Sequence, residues 1–209
     1  MENSCTLPED FGNTPKTTLT LPEGMGGLVI HCCCAPCAGA MFECFKAHGL
    51  LPTIFFYNPN IHPRDEYERR RDELLGLSEA LGFEAVVGDY DTRKWFDLTR
   101  GLELEPERGE RCLKCFTHRL EATALFALER GATHFTSTLA TSRWKNKNQV
   151  NQAGYGAQRA TGGRVRYWDE DWRKEGLVGR RYELVRKFDF YNQEYCGCIY
   201  SKENLGHVK

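Results

Sequence analysis

The sequence predicts an α/β protein built on a parallel sheet. Short apolar runs rich in β-forming residues alternate with longer segments whose apolar residues recur at helical spacing, and this alternation is typical of βαβ units. Polar or cysteine-rich segments follow the apolar runs, where open α/β sheets place their ligand sites. The chain has 209 residues, 41% of them hydrophobic and 27% charged, which is enough for one domain with a substantial core.

The first half of the sheet is predicted from two apolar runs. Residues 26–30 form the first strand, and helical spacing follows over 38–45. Residues 51–57 form the second strand, and the prolines and asparagines after it predict a loop. Pro63 then opens a helix over 64–81, because its fixed φ suits the first helical turn.

The next segments repeat the same alternation. A third strand is predicted over 83–87 and a short helix over 91–100. An amphipathic helix covers 117–130, and a fourth strand follows it over 134–139. The order of strands and helices therefore favours parallel pairing.

The last third differs in composition, being polar and basic with two further helical stretches over 150–160 and 179–188. We interpret 142–209 as an elaboration wrapped over the carboxyl edge of the sheet. Residues 1–25, rich in Thr, Pro and Asn, are predicted to be a flexible extension. The remainder, 26–209, is expected to be a single α/β catalytic domain.

Composition limits the class of protein. No apolar run approaches the length of a membrane span, and the N-terminus lacks the basic and apolar regions of a secretory signal. Ten cysteines without such a signal indicate a reducing compartment, so we expect a cytoplasmic protein whose cysteines serve metal or redox chemistry. The net charge is −1, but residues 143–187 carry twelve Lys and Arg against five Asp and Glu. That block could meet phosphates or form an ordinary solvated face.

A dense group of cysteines follows the first predicted strand: Cys32, Cys33, Cys34 and Cys37. Side chains of an extended segment alternate between faces, but the turn into a helix allows at least two thiols to reach one pocket. The positive N-terminal end of that helix favours the thiolate, which is the form that binds metals. The alternative is a set of small buried hydrophobic residues. Such density is unusual outside metal and redox sites.

Cys112 and Cys115 form a second site at the start of a helix, with both sulfurs on one turn. Alone, this pair fits a thioredoxin-like dithiol, half of a zinc site or half of an iron–sulfur site. We expect its partner near Cys33 and Cys34, at the same sheet edge. Four thiolates suit a [4Fe–4S] cluster and a zinc ion equally, although a structural zinc would leave a surplus of cysteines.

Cys196-Gly197-Cys198 is the third site. Two cysteines separated by one glycine can form a small strained disulfide of the kind that is readily reduced and used as an electron relay. The alternative is a mobile, reduced tail.

Five motifs occur in one order along the chain, within a region of resemblance that runs from about residue 27 to residue 201: Val29-Ile30-His31-x-Cys33-Cys34-Ala35-Pro36-Cys37, Phe56-Tyr57-Asn58-Pro59-Asn60-Ile61-His62-Pro63, Gly109-Glu110-Arg111-Cys112-x-x-Cys115-Phe116, Ser137-Thr138-Leu139-x-x-Ser142-Arg143 and Tyr195-Cys196-Gly197-Cys198. In this combination the sequence resembles the QueH-type epoxyqueuosine reductases, the cobalamin-independent enzymes of queuosine synthesis in tRNA. The resemblance implies a Rossmann-like fold of the adenine-nucleotide α-hydrolase (HUP) type.

The resemblance also implies the cofactors. It predicts a [4Fe–4S] cluster, a mononuclear iron beside that cluster, and a redox-active disulfide. Cys37 is the candidate ligand of the mononuclear iron. Cys32 stands where variation is expected, so the choice among Cys32, Cys33 and Cys34 stays open. The implied ligands of the [4Fe–4S] cluster are Cys33, Cys34, Cys112 and Cys115. The implied disulfide joins Cys196 and Cys198.

The implied reaction is a two-electron deoxygenation, in which the epoxide of epoxyqueuosine becomes the alkene of queuosine and the oxygen leaves as water. An open iron site would act as a Lewis acid on the epoxide oxygen. The cluster would supply electrons, and the cysteine pair could reload it from an unidentified electron donor. Asp171, His62 and Tyr57 are candidate proton donors because of their positions on carboxyl-edge loops.

The implied partner is tRNA carrying epoxyqueuosine in its anticodon loop, and polar loops are expected to bind it. Aromatic residues of the last third could stack on an unpaired base. For any one member of the set, surface or core packing is the alternative. The predicted substrate-binding residues are Tyr57, Asn58, Asn60, His62, Ser142, Arg143, Lys145, Asn146 and Gln149.

Two alternative functions fit part of the sequence. An ATP-using tRNA-modifying enzyme would need a glycine- and serine-rich phosphate loop after the first strand, where the cysteines stand instead. A non-enzymatic zinc-binding RNA module would be colourless, whereas an iron–sulfur protein purified without oxygen should be brown.

Overall fold

All five strands belong to one parallel sheet. The computed structural model describes residues 7–142 and 145–204, the last two of them in backbone only. The strands are β1 (Leu28–His31), β2 (Thr53–Phe56), β3 (Ala85–Val87), β4 (His134–Ser137) and β5 (Arg166–Tyr167). Their order is β3-β2-β1-β4-β5, and each neighbouring pair is parallel. The order reverses between β1 and β4, and such a switch point opens a crevice at the carboxyl ends of the two strands.

Helices flank this sheet in two layers. They are α1 (Ala35–Ala47), α2 (Arg64–Ala80), α3 (Thr92–Thr99), α4 (Glu110–Glu129), α5 (Lys147–Ala160), α6 (Leu177–Lys187) and α7 (Ile199–Asn204), with a 3₁₀ turn at Thr138–Thr141. One layer packs α1 against α2 and α6, and the other packs α4 against α5. None of these helices is long and apolar enough to cross a membrane.

The buried centre of the sheet explains why its strands were visible in the sequence. β1 is buried along its whole length, and Val29 and Ile30 are almost fully enclosed. Strands covered by helices on both faces have continuous apolar runs rather than alternating ones. The parallel α/β fold predicted from those runs is confirmed.

The structure differs from the sequence prediction at two places. Helix α4 begins at Glu110 rather than at residue 117, so Cys112 and Cys115 lie within its first two turns. Within 142–209, which the sequence assigns to an elaboration over the carboxyl edge, α5 and β5 instead extend the sheet by one parallel strand. A strand of two residues is too short to show a period of its own and forms because its backbone pairs with β4.

Ion pairs connect the N-terminal segment to α6. Residues 7–25, the described part of the predicted flexible extension, contain no helix or strand. Arg180 of α6 pairs with Asp10 at 2.9 Å and with the fully buried Glu43 of α1 at 2.7 Å. Lys16 pairs with Glu175 at 2.6 Å. These contacts fix the position of α6 beside α1, which bears part of the cysteine site.

Replacement of Arg180 by Met should therefore destabilise the fold. The substitution leaves the Glu43 carboxylate buried without its cation, and breaking a buried pair costs about 3–5 kcal/mol. Urea denaturation measures the loss. Arg186→Met, on the exposed side of the same helix, is the control and should change the free energy of unfolding by less than about 0.5 kcal/mol. Equal losses in the two variants would contradict the role given to the Glu43 pair.

Candidate metal and redox site

Three cysteines converge at the switch point of the sheet. The sulfurs of Cys33, Cys34 and Cys37 all lie within 4.8 Å of one another, and those of Cys33 and Cys34 are 3.6 Å apart. The geometry follows from the local backbone. Cys34 is the extended residue that caps α1, and Pro36 lies in the first helical turn, so the chain bends where the thiols meet. We call these three residues the cysteine trio.

Cys32 is not a member of the trio. Its backbone continues the sheet, since its N–H donates to the carbonyl of Phe55 at 2.9 Å and its carbonyl accepts from Asn58 Nδ2 at 2.8 Å. Burial raises the pKa of the Cys32 thiol well above its usual range, so this thiol stays protonated. Of the four cysteines that follow β1, Cys32 is the structural one, because hydrogen bonds of its backbone fix it at the end of the sheet.

The trio favours one thiolate at Cys33. The pKa of Cys33 lies well below its usual range, chiefly because the thiols of Cys34 and Cys37 donate to its sulfur, and Lys145 and Arg119 add positive charge. Burial opposes this shift. Burial instead raises the pKa of Cys34, and the neighbouring sulfurs raise it further. A negative charge on sulfur is therefore supported inside a closed site, which is what a thiolate ligand requires.

Positive side chains surround the trio. Arg181 of α6 donates through Nε to the carbonyl of Pro36 at 2.8 Å. The pKa of Lys145 is raised, because attraction to Cys33 and Cys37 outweighs the burial that lowers it. Gln193 closes the site from the C-terminal segment, where its Oε1 accepts from Cys34 Sγ at 3.2 Å. The surroundings are thus suited to an anionic group bound through sulfur.

His31, just before the cysteines, is a structural residue. It is fully buried, and its ring bridges two strand ends through Ser137 Oγ at 2.9 Å and the carbonyl of Tyr57 at 3.1 Å. Burial, with a smaller contribution from Arg119, lowers the pKa of His31 to about 3. The ring is therefore neutral at physiological pH, and it keeps β1, β2 and β4 in register at their carboxyl ends.

The remaining site cysteines form a second group around the start of α4. Cys115 and Cys198 are buried together beside Trp95, and Cys196 packs against them. Cys112 accepts a hydrogen bond from the backbone N–H of Arg108 at 3.3 Å. All nine cysteines in the described residues are free thiols, so Cys196 and Cys198 are in the dithiol state here.

The predicted cluster ligands are thus divided between two groups. Within the described residues, the trio is the only set of three or more cysteines whose sulfurs all approach within 4.8 Å, and it includes Cys37 rather than Cys112 or Cys115. Arg119 lies beside the second group, with Nη1 4.0 Å from Cys115 Sγ. The assignment of Cys33, Cys34, Cys112 and Cys115 to one cluster therefore stays a prediction.

The C-terminal dithiol is held against the loop that follows β2. The carbonyl of Gly197 accepts from His62 N–H at 2.8 Å, and Arg70 donates to the carbonyls of Tyr195 and Cys196 at 3.1 and 3.3 Å. Gly197 has φ of +102°, and a Cβ there would lie 2.8 Å from Ile61. Only glycine allows this approach, which explains the residue between the two cysteines.

The two thiols of this pair differ in acidity. The pKa of Cys196 is lowered to about 6, chiefly because Cys198 donates a hydrogen bond to it, while Ser201 contributes a second one and burial opposes both. The pKa of Cys198 is raised by the same interaction and by burial. Cys196 is therefore the more acidic thiol of the pair, and at neutral pH it is the one that is ionised.

Several predicted substrate-binding residues form hydrogen bonds to other residues of the protein. Asn58 bonds to the carbonyl of Cys32 and accepts from Arg119, and Asn146 caps α5 through the N–H groups of Asn148 and Gln149. Gln149 Nε2 donates to the carbonyl of Arg108 at 2.7 Å.

Other members of the set keep a free polar atom or lie elsewhere. Asn60 Oδ1 and His62 Nε2 are buried without a hydrogen-bond partner in the described residues. Tyr57 bonds through its hydroxyl to His118 Nε2 at 2.9 Å, and Ser142 is buried beside the 3₁₀ turn. Arg143 lies outside the described residues. The substrate-binding set stays a prediction.

Asp171 is poorly suited to donate a proton. Its carboxylate pairs with Lys147 at 3.0 Å. Burial raises the pKa of Asp171, but the hydrogen bonds from Lys147 and from the backbone of Arg173 outweigh burial, so that the pKa lies below its usual value. The group is ionised at neutral pH.

The sequence analysis did not identify Arg119 or Gln193 as site residues. Arg119 follows Cys115 by one helical turn, so the i, i+4 spacing of a helix could have indicated it. Gln193 is distant from the trio in sequence, and no local pattern points to it.

The fold and the site define a class: a parallel α/β protein of Rossmann-like strand order with a buried cysteine group at its switch point. A family model described as epoxyqueuosine reductase QueH matches residues 28–204. The chain belongs to the QueH family of epoxyqueuosine reductases, which confirms the resemblance found in the sequence. It is an oxidoreductase of queuosine biosynthesis, and the zinc-binding RNA module is not favoured.

Relatives named epoxyqueuosine reductase QueH align over most of the chain. The Histophilus somni protein is 47% identical over 90% of this chain and 78% of its own length, and the Haemophilus influenzae protein is 47% identical over 89% and 76%. The Acinetobacter baylyi protein is 44% identical over 90% and 85%.

One solved structure supports the fold. The U34-tRNA thiolase NcsA from Methanococcus maripaludis, solved with its [4Fe–4S] cluster, is 11% identical and superposes with a TM-score of 0.55 over 93% of this chain and 68% of its own. This likeness confirms the Rossmann-like fold of the adenine-nucleotide α-hydrolase type.

The lowered pKa of Cys196 predicts how alkylation depends on pH. In metal-free, reduced protein, the rate of modification of Cys196 by iodoacetamide should rise as the pH increases through about 6 and then level off, because only the thiolate reacts. Peptide mass mapping measures each cysteine separately. Cys112, whose pKa burial raises to about 11, is the internal control and should still be gaining reactivity above pH 9. The same pH profile for both residues would refute the asymmetry.

Proposed function

We propose that the chain reduces the epoxide of epoxyqueuosine in tRNA to the alkene of queuosine with an iron–sulfur cluster bound at the cysteine site. The observation that carries the proposal is the buried cysteine trio at the switch point of a QueH-family chain. The reaction breaks two C–O bonds and forms a C=C bond. It consumes two electrons and two protons and releases the oxygen as water.

The residues of the site suit such a cluster. The trio offers only sulfur, and sets of soft thiolate ligands select iron–sulfur clusters, zinc or copper(I) over the hard cations. The lowered pKa of Cys33 supplies the anionic ligand form, and Lys145 and Arg181 offset the negative charge that a thiolate-bound cluster carries. The structural neighbour NcsA contains a [4Fe–4S] cluster, which further supports the proposal.

The ligand set that we propose is the one implied by the family motifs. Cys33 and Cys34 provide the ligands from the turn after β1, and Cys112 and Cys115 provide those from α4. Cys37 is then left, within 4.8 Å of the first two, to hold an adjacent mononuclear iron. When bound, these groups supply electrons one at a time and a Lewis acid for the epoxide oxygen.

The dithiol is proposed to carry electrons into the site from an unidentified donor. Oxidation of the Cys196 thiolate and the Cys198 thiol to a disulfide forms one S–S bond and releases two electrons and one proton. The two electrons are the number that one turnover consumes, and the second proton of the reaction comes from the solvent. The thiolate of Cys196 at neutral pH suits it to exchange with a donor dithiol.

Two groups remain as proton donors near this chemistry. Burial raises the pKa of Tyr57, so its hydroxyl keeps its proton at neutral pH. The hydroxyl is held 2.9 Å from Nε2 of His118, whose pKa burial lowers. His62 has its Nε2 free, and its Nδ1 is bonded to the carbonyl of Asn60 at 2.9 Å. We favour Tyr57 and His62 over Asp171 because the latter is ionised.

The proposed macromolecular substrate is the anticodon loop of tRNA. Lys145, at the entrance of α5, lies near the trio and belongs to the basic block of residues 143–187. Positive charge beside the cysteine site would neutralise the phosphates on either side of the modified nucleotide. We place the activity in the cytoplasm, as the cysteine content suggests.

Cys33→Ala should abolish cluster binding. Protein purified without oxygen is expected to contain iron and sulfide and to absorb near ~400 nm, as thiolate-ligated clusters do. The Cys33→Ala variant should lose most of the iron and all reduction of epoxyqueuosine-containing tRNA. Cys44→Ala, a buried cysteine further along α1, is the matched control and should keep both. Full iron and sulfide in Cys33→Ala would show that the ligand set is wrong.

Cys196→Ser should separate electron delivery from cluster binding. The variant is expected to keep its iron and to reduce one equivalent of substrate when it is reduced beforehand. Its steady-state rate should fall at least roughly tenfold, because one thiol cannot form the relay disulfide. Quenched-flow and steady-state assays of the same preparation give the comparison. Cys44→Ser, which makes the same replacement at a buried cysteine of α1 outside both cysteine groups, is the control. Unchanged steady-state turnover in Cys196→Ser would remove the relay.

A further inference from the structure

Arg119 is a buried cation without an ion-pair partner in the described residues. It lies on α4, one turn after Cys115, and only 2% of its surface is exposed. Its Nε has no hydrogen-bond partner there, and its other contacts are an amide oxygen and a sulfur. By contrast, the buried Arg70 has Glu66 and the buried Arg180 has Glu43, while the buried Arg111 donates to three backbone carbonyls. Burying a guanidinium without an opposite charge costs several kcal/mol, so a negative charge is expected beside Arg119.

The contacts of Arg119 reach both cysteine groups. Nη1 lies 4.0 Å from the sulfur of Cys115, and Nη2 donates to Asn58 Oδ1. Asn58 in turn donates to the carbonyl of Cys32 at 2.8 Å, next to the backbone of Cys33. The positive charge of Arg119 also contributes, after the larger effects of the neighbouring thiols, to the lowered pKa of Cys33.

The neighbours of Arg119 do not supply the missing negative charge. Asn58 is a neutral amide, and His31, whose pKa Arg119 helps to lower, is a neutral imidazole. Among the hydrogen-bond contacts of Arg119 in the described residues, the sulfur of Cys115 is the group that can carry negative charge. A thiolate-bound cluster would supply that charge, and its charge would become more negative on reduction.

We propose that Arg119 is a positioning residue that sets the reduction potential of the cluster by holding an uncompensated positive charge between the two cysteine groups. The proposal rests on the iron–sulfur centre of the proposed function. A fixed positive charge favours the reduced form, since reduction adds negative charge, and N–H groups directed at ligand sulfurs act in the same sense. Asn58 holds the guanidinium in place and, being neutral, leaves its charge unpaired.

Two variants test the charge by different routes. Arg119→Gln removes it. Asn58→Asp leaves the guanidinium in place and gives it the carboxylate that it lacks, with almost no change of shape. It also removes the hydrogen bond that Nδ2 donates to the carbonyl of Cys32. Both should lower the ratio of reduced to oxidised cluster at a fixed solution potential by at least about tenfold, which is about 59 mV for a one-electron couple. Arg119→Lys keeps the charge and should stay within about threefold of the unaltered protein.

The measurement is an anaerobic redox titration followed by electron paramagnetic resonance, after iron and sulfide have been determined for each protein. Arg130→Gln, which makes the same replacement at the exposed C-terminal end of α4, is the matched control and should leave the potential unchanged. If Arg119→Gln does not fold, Asn58→Asp decides, because it retains the buried arginine.

The outcomes separate this inference from the function on which it rests. Unaltered protein without iron and sulfide would refute the cluster and the role of Arg119 together. A bound cluster whose potential is the same in Asn58→Asp would overturn the role of Arg119 alone. The role of Arg119 would also be overturned if Arg119→Lys lowered the ratio of reduced to oxidised cluster as much as Arg119→Gln does. Loss of the cluster from Arg119→Lys together with Arg119→Gln and Asn58→Asp would overturn it as well. The last two results would mean that the shape of the arginine matters rather than its charge.

Discussion

The turn from β1 into α1 is the constraint on which the rest of the site depends. At the switch point between β1 and β4 the chain passes from a fully buried strand to a helix within a few residues, and Cys34 occupies the capping position. The bend overcomes the alternation of side chains in an extended segment, so that Cys33, Cys34 and Cys37 meet. His31 fixes the strand ends beneath them. A metal-binding geometry is thus a consequence of parallel-sheet topology.

Electrostatics gives this geometry its chemistry. Buried thiols resist ionisation, yet Cys33 is held as a thiolate by neighbouring S–H donors and by cations on the surrounding elements. Those cations come from distant parts of the chain: Arg119 from α4, Lys145 from the entrance of α5 and Arg181 from α6. The ion pairs of Arg180 hold α6 in position. Stability and redox chemistry are therefore linked through α6.

The C-terminal segment completes the site from outside the sheet. Its dithiol docks on the loop after β2 through Gly197, and Arg70 binds the carbonyls on either side of Cys196. This places Cys196 and Cys198 beside the cysteines of α4, in a chain whose family reduces epoxyqueuosine. In the proposed function, these sulfur atoms form the route by which electrons enter the site. The two thiols differ in acidity because Cys198 donates a hydrogen bond to Cys196, which lowers the pKa of Cys196 and raises that of Cys198.

The sequence by itself determined the parallel α/β class, four of the five strands and the cysteine motifs, because long apolar runs and residue spacing are local signals. Tertiary structure decided the rest. β5 exists only through its pairing with β4, and the polar groups of Asn58 and Gln149 are used by partners distant in sequence. Only folding brings Asn58, which follows β2, into contact with Arg119 of α4. The composition gives only the number of charged groups and thiols, whereas the chemistry of these groups depends on which of them lie close together in the buried interior.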